Sequence, residues 1–310
     1  MQINWKKIAL ILGASFSLAA CGSQGGGQSA SSGEAAKPEE PKQEESQASG
    51  DKAGADELIQ VISREEGSGT RDAFTEITKV KDGDTDSTVD TADIQNSTDA
   101  VMTTVAGDPQ AVGYISLGSL NDTVKAVKVD GVEATEENIT NDSYKLARPF
   151  NIVHKGDLEG AVADFRDFIF SKEGQDIVAK EGYVAVDQDA KPFEGDKEAS
   201  GQIQIAGSTS VGPLMEKLKE AYEEVNPEVQ ITITENGSGA GVQAAIDGTA
   251  DLGMASRELK DDEKELTGEA IARDGIAVIV NKDNDKEEIS LDDLKAIFTG
   301  EKTSWGELGE

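Results

Sequence analysis

The sequence is poor in the residues from which most catalytic and metal sites are built. Among 310 residues there is one Cys and one His. A lone cysteine excludes a disulfide framework, and a lone histidine leaves little from which to assemble a His-based metal site or a Ser-His-Asp triad. Positive charge is also scarce: 29 Lys and Arg stand against 61 Asp and Glu, a net charge of −32, and aromatic residues make up only 5%. So acidic a surface repels a phosphodiester polymer, which argues against a nucleic-acid partner. A small anion is not excluded, because local dipoles can build its site. Beyond the amino terminus no stretch is apolar enough for a transmembrane helix. Glycine, by contrast, is abundant at 33 residues. The length suits one large domain or two ordinary ones.

The amino terminus reads as a targeting segment. Lys6 and Lys7 precede the apolar run Ile8 to Leu12, and small residues lead to Leu18-Ala19-Ala20-Cys21. This order of basic start, short apolar core and small-residue end is that of a secretory signal. The last four residues resemble a lipobox, so residues 1–20 are expected to be cleaved and Cys21 to carry a lipid anchor. Residues 22–56 are rich in Gly, Ser, Glu, Lys and Pro, without a large apolar side chain. Such a composition makes residues 21–57 a disordered tether. The globular part is expected to start near Leu58.

From there strands alternate with helices, which indicates α/β layers, and the length favours two lobes over one sheet. Strands are expected at Leu58–Ser63, Gly113–Ser116, Val124–Val129, Pro149–His154, Ile203–Ala206, Val229–Thr234, Asp251–Ala255 and Gly275–Val280. Helices are expected at Ser97–Val105, Leu158–Phe170, Gly174–Lys180, Pro213–Val225, Val242–Ile246 and Leu291–Phe298, with a further helical pattern carrying Ala73, Phe74 and Ile77 on one face. His154 reads as structural, Met102 and Met254 as core, and Trp305 as a packing residue. The acidic runs Glu216–Glu224 and Asp261–Glu265 read as solvated faces rather than metal sites.

One device recurs: a strand, a Gly/Ser/Thr loop, then a helix start. The loops are Gly207-Ser208-Thr209-Ser210, Gly237-Ser238-Gly239 and Gly67-Ser68-Gly69-Thr70. The first turn of a helix has unpartnered N–H groups and a partial positive charge. Glycine admits an anion close to that backbone, and the hydroxyls add donors. Each loop alone could be an ordinary cap or turn. Together, with Arg64 beside one of them and Glu66 able to orient its guanidinium, they describe an oxyanion site. No Lys follows the glycines as a P-loop requires, so a nucleotide fold is disfavoured.

The segments IQIAGSTSVGPLMEKLKEAY, ITENGSGAGVQAAIDGTADLGMASRELK, IQVISREEGSGTRDAF and RPFNIVHKGDLEGAVADFRDFIFSKEGQDIV resemble the phosphate-binding lipoproteins of phosphate ABC transporters, the PstS-like substrate-binding proteins. The resemblance runs from Leu58 almost to the end. It implies an α/β, two-lobed fold of the periplasmic-binding-protein type (type II), with a hinge of two crossing segments. It also implies a phosphate held between the lobes for delivery to the permease subunits, with no cofactor, no metal and no catalysis. Matched residue by residue, Thr209 and Ser210 fall on the first phosphate loop, Ser238 on the second, and Arg64, Ser68, Gly69 and Thr70 on the third. Where better-known members have an Asp that takes the phosphate's proton, this chain has Ser256, followed by Arg257, which is a candidate for added charge in the site. That substitution keeps other tetrahedral oxyanions, sulfate or molybdate, open as ligands. A surface phosphatase or adhesin on the same scaffold is a further alternative.

The segment order departs from the family, in which the GSTS half precedes the EEGSGT half. Joining Leu308-Gly309-Glu310 to Asp56-Glu57-Leu58 would restore it, so the chain reads as a circular permutation with the old ends linked through residues 186–200. One lobe would then comprise residues 149–279, and the other residues 58–148 with 280–310. The hinge would be crossed near Arg148-Pro149 and near Val278–Val280. The expectation is a monomeric, lipid-anchored receptor on the extracytoplasmic face of the membrane.

Overall fold

The computed structural model describes residues 57–83, 85–196 and 198–309. The expected signal segment, the Cys21 anchor and nearly all of the tether lie outside them. Among the described residues no helix is long and apolar enough to cross a membrane.

The chain begins with strand β1 (Gln60–Arg64), helix α1 (Gly69–Ile77), strand β2 (Asp93–Gln95), helix α2 (Thr98–Gly107) and strand β3 (Ala111–Ser116). Strand β4 (Ala147–His154) is followed by helices α3 (Gly160–Ile169) and α4 (Lys172–Lys180). Then come β5 (Gly201–Gly207), α5 (Gly212–Val225), β6 (Val229–Glu235), α6 (Ser238–Asp247) and β7 (Leu252–Ala255). The 14-residue strand β8 (Thr267–Val280) and helix α7 (Leu291–Phe298) complete the described fold.

The main sheet has the order β6-β5-β7-β4-β8-β3-β1-β2. Both wings are parallel: β1 pairs with β2 and β3, and β5 with β6 and β7. In parallel wings the carboxyl ends of the strands share one edge, where ligands of open α/β sheets are held. The three central pairings, β7 with β4, β4 with β8 and β8 with β3, are antiparallel.

Each wing has its own core. In one, Phe74, Tyr114 and Phe298 cluster, with the Phe74 and Tyr114 rings stacked at 4.0 Å, and Trp305 is buried beside them. In the other, Phe165, Phe168 and Tyr222 pack with Leu214, Leu218, Ile203 and Ile205. Strand β8 belongs to both. Its first part, Thr267–Gly275, pairs with β4, and its second, Ile276–Val280, pairs with β3. The change of wing therefore falls between Gly275 and Ile276, not near Val278–Val280, which pack wholly within the first wing. Leu146 and Phe150, flanking Arg148, lie in different cores.

Two local expectations differ from the structure. Residues 124–129 form two short strands, because Lys125–Ala126 pair with β8 whereas Lys128–Val129 pair with Glu288–Ile289. The first part of β8 is an additional strand segment, irregular between Ala270 and Ala272. Met102 and Met254 are buried, and the His154 ring lies 2.8 Å through Nδ1 from the Gly156 carbonyl. At the other end of the fold, Ile59 N donates to Thr303 O at 2.8 Å and Leu58 bridges Ser304 in antiparallel fashion. The first and last segments of the described fold therefore run side by side.

Candidate functional site

The strand ends of both wings turn into helices whose first residues face one another. After β1 the chain makes a turn at Gly67 (φ +85°), a conformation that suits glycine, and Ser68 caps α1 by accepting from Arg71 N at 3.4 Å. After β2, Ser97 caps α2 by accepting from Ala100 N at 3.1 Å. After β5, Ser208–Ser210 precede α5, and after β6, Gly237 precedes α6, which Ser238 opens. Strand β7 ends directly at Ser256.

These starts meet in a ring of buried hydroxyls. Arg64, 2% exposed, donates from Nη2 to Thr209 Oγ1 at 3.1 Å. Thr70 Oγ1 and Ser210 Oγ share a hydrogen bond at 2.9 Å. Thr98 Oγ1 lies 3.4 Å from Thr209 Oγ1 and 3.3 Å from Ser210 Oγ. Within the second wing, Ser208 Oγ donates to Ser256 Oγ at 2.9 Å, and Ser256 N donates to Ser238 Oγ at 3.1 Å. The wings also meet through backbone, Gly239 N donating to Gly67 O at 2.9 Å. Gly69 faces this junction so closely that a Cβ there would lie 2.3 Å from Ser238 Oγ and 2.7 Å from Ser256 Oγ.

The structure thus brings Arg64, Ser68, Gly69, Thr70, Thr209, Ser210, Ser238 and Ser256 to one junction. Thr98 and Ser208 join them. Thr98 follows a loop without glycine, and its one sequence signal was the Ser97 cap. Two roles assigned from sequence are corrected. Glu66 is exposed just before Gly67, and Glu65 holds the Arg64 guanidinium instead, through Nε and Nη2 at 2.8 Å each. Arg257 does not reach into the ring. Its guanidinium donates to both carboxylate oxygens of Glu263 at 2.7 Å and lies 3.0 Å from Asp72.

The electrostatics suit an anion. The ring holds one fixed cation, Arg64, and otherwise neutral donors and helix starts, in a chain whose net charge repels anions at long range. Beneath it, at the two central strands, Arg148 pairs with Asp274 at 3.0 Å and donates to the Ser256 carbonyl at 3.2 Å. Burial pushes the Asp274 carboxyl up to about 6, although Arg148, the Ser116 hydroxyl and the Gly118 N–H pull it down. Burial also pushes the Tyr114 phenol up to about 12, so it stays protonated as it bonds Ser63 Oγ at 2.9 Å behind the Arg64 strand. Among the described residues no group of three or more His, Cys, Asp or Glu is placed to hold a metal ion. The arrangement can desolvate and hold a compact oxyanion through many donors, each worth about 0.5–1.5 kcal/mol net and more where a charge takes part.

Comparison with known proteins agrees with this geometry. The PBP superfamily domain matches residues 39–173 and 194–310. The phosphate-binding protein PstS 2 of Streptococcus agalactiae serotype V is 50% identical over 260 residues, covering 81% of this chain and 88% of that protein. The PstS 2 protein of Streptococcus pneumoniae serotype 4 is 48% identical over 267 residues, covering 84% and 91%. A crystal structure of the phosphate-binding protein of a phosphate ABC transporter from Streptococcus pneumoniae TIGR4 superposes with a TM-score of 0.67 at 49% identity. It covers 82% of this chain and 100% of that one.

Proposed function

Because this chain belongs to the PBP superfamily, and within it to the PstS-like phosphate-binding proteins, we propose that it captures inorganic phosphate for an ABC importer. The observation that carries this reading is the junction itself: Arg64 and Thr70 of one wing bond Thr209 and Ser210 of the other. An oxyanion taken up there would be surrounded by donors from both wings, and its arrival would draw them together by rotation about β4 and β8. Residues 149–275 act as one lobe and residues 58–148 with 276–310 as the other. The protein works as a monomer on the extracytoplasmic side of the membrane, anchored through Cys21, and passes phosphate to the permease without a catalytic step.

The permuted segment order is, in this reading, a property of this chain. The pairing of Leu58–Ile59 with Thr303–Ser304 supports it. Ser256 presents a hydroxyl, which can accept a phosphate proton while donating its own, so sulfate is the informative competitor. Calorimetry with phosphate and sulfate, alongside thermal unfolding, tests the function. At about 100 times Kd a ligand stabilises the folded state by about 2.7 kcal/mol, and each kcal/mol raises the midpoint by about 2–4 °C for a chain of this size. Arg64→Ala combined with Thr70→Val is expected to abolish phosphate binding. No heat and no midpoint shift with phosphate for the unaltered protein would refute the reading.

A further inference from the structure

We propose that Asp72 and Arg257 form a clasp at the rim of the site that holds the two lobes together and slows ligand release without touching the ligand. The inference rests on the phosphate-receptor reading and adds to it a pair of positioning residues.

Asp72 lies in the first turn of α1, two residues beyond Thr70, and Arg257 directly follows Ser256. Each therefore stands next to a ring residue, but on opposite lobes. Asp72 is the meeting point of two cations from the other side: Arg257 Nε at 3.0 Å and Lys260 Nζ at 2.8 Å. Arg257 is only 5% exposed. Burial works against its charge, but the hydrogen bonds and charge of Glu263, with the charge of Asp72, raise its pKa above the ordinary range.

The asymmetry of the partners makes this a clasp rather than a static bridge. The bidentate Glu263 contact lies within one lobe and survives separation. The contacts of Asp72 with Arg257 and Lys260 cross the cleft and exist only when it is closed. Opening costs Asp72 its cations while Arg257 keeps a counterion, so the closed form gains selectively and the open form bears no unpaired buried charge. Asp72 Oδ2 and Arg257 Nε lie at ion-pair distance without an aligned hydrogen bond, so the attraction is chiefly Coulombic.

Phosphate enters the open form, so the clasp leaves association alone and acts on dissociation. The test measures both rates on the full chain: uptake of radiolabelled phosphate, and its release on chasing with excess unlabelled phosphate. For Asp72→Asn, which removes the charge that Arg257 and Lys260 both meet, we expect release about tenfold faster, with the association rate unchanged. Asp72→Glu restores slow release in part. Loss of Asp72 from the α1 dipole weakens open and closed forms alike, so a purely structural role leaves the release rate where it was. Unchanged release in Asp72→Asn, or a weaker affinity that comes from slower association, would overturn the proposal. If the unaltered protein takes up no phosphate, it is the receptor reading that fails, and sulfate uptake and release then test the clasp by the same criteria.

Discussion

A close approach between the lobes offers a sharp perturbation: Gly69→Ala adds a single methyl group at their junction. That Cβ would stand 2.3 Å from Ser238 Oγ, 2.7 Å from Ser256 Oγ and 3.0 Å from Ser238 Cβ, where ordinary contact begins near 3.4 Å. Relief comes either from swinging the two hydroxyls out of their hydrogen bonds or from a retreat of the α1 end from α6 by about 3.4 − 2.3 = 1.1 Å. Such a retreat carries the Thr70–Ser210, Arg64–Thr209 and Gly239–Gly67 contacts, now at 2.9, 3.1 and 2.9 Å, beyond hydrogen-bond range. Two neutral bonds and one charged one sum to about 3 kcal/mol, or about a hundredfold weaker phosphate binding. Nothing in the isolated lobe objects to the methyl group. Gly69 is the first residue of α1 and has no positive φ, and alanine suits a helix better than glycine by up to about 1 kcal/mol. Ligand-free unfolding is therefore expected at or slightly above the unaltered midpoint, while calorimetry reports the affinity loss. Affinity equal to that of the unaltered protein would mean that the bound lobes never come this close, and the argument from cleft closure would be wrong.

Other expectations follow from the same geometry. Thr98→Val keeps the shape of the side chain but removes a hydroxyl that reaches both Thr209 and Ser210; phosphate affinity should fall about fivefold to tenfold by calorimetry, consistent with about 1–1.4 kcal/mol in total for two long hydrogen bonds. Asp274→Asn replaces the buried carboxylate partner of Arg148 by a neutral amide of the same shape. The same aspartate makes stability depend on pH. Its folded-state pKa, about 6, lies above the ordinary 3.8. The stabilisation from its protonation is therefore complete below about pH 4 and is lost as pH rises through 6. The difference in stability between the unaltered protein and Asp274→Asn should change across pH 4 to 6 and be flat above pH 7; a flat difference throughout would show that burial does not raise this carboxyl.

Much of the site was legible because its chemistry is local. Gly/Ser/Thr loops at strand-to-helix turns announce donors whatever the rest of the fold does, and the residues picked from those loops lie at the junction. What escaped depends on partners distant in sequence. Thr98 follows an ordinary capped turn, and only the placement of α2 against Thr209 and Ser210 gives it a role. Arg257 looked like a ligand-binding cation because Ser256 precedes it, but two carboxylates, Asp72 and Glu263, had prior claim on its charge. The first part of β8 carries Glu269, Arg273 and Asp274 and an irregularity near Ala270, which blur the alternation of a strand. Its identity comes from β4, its neighbour along the ladder. Glu65 rather than Glu66 meets Arg64, and Glu66 stands exposed at the turn.

Strand β8 also has a bearing on how the polypeptide is made. It is the central plank of the sheet, and ribosomal synthesis delivers it late, at residues 267–280. Until it emerges, β3 and β4 each present an open ladder of amides and carbonyls to whatever surrounds the nascent chain. Neither wing can finish before this strand emerges, and the first must wait longer still, for Phe298 and Trp305 of its own core.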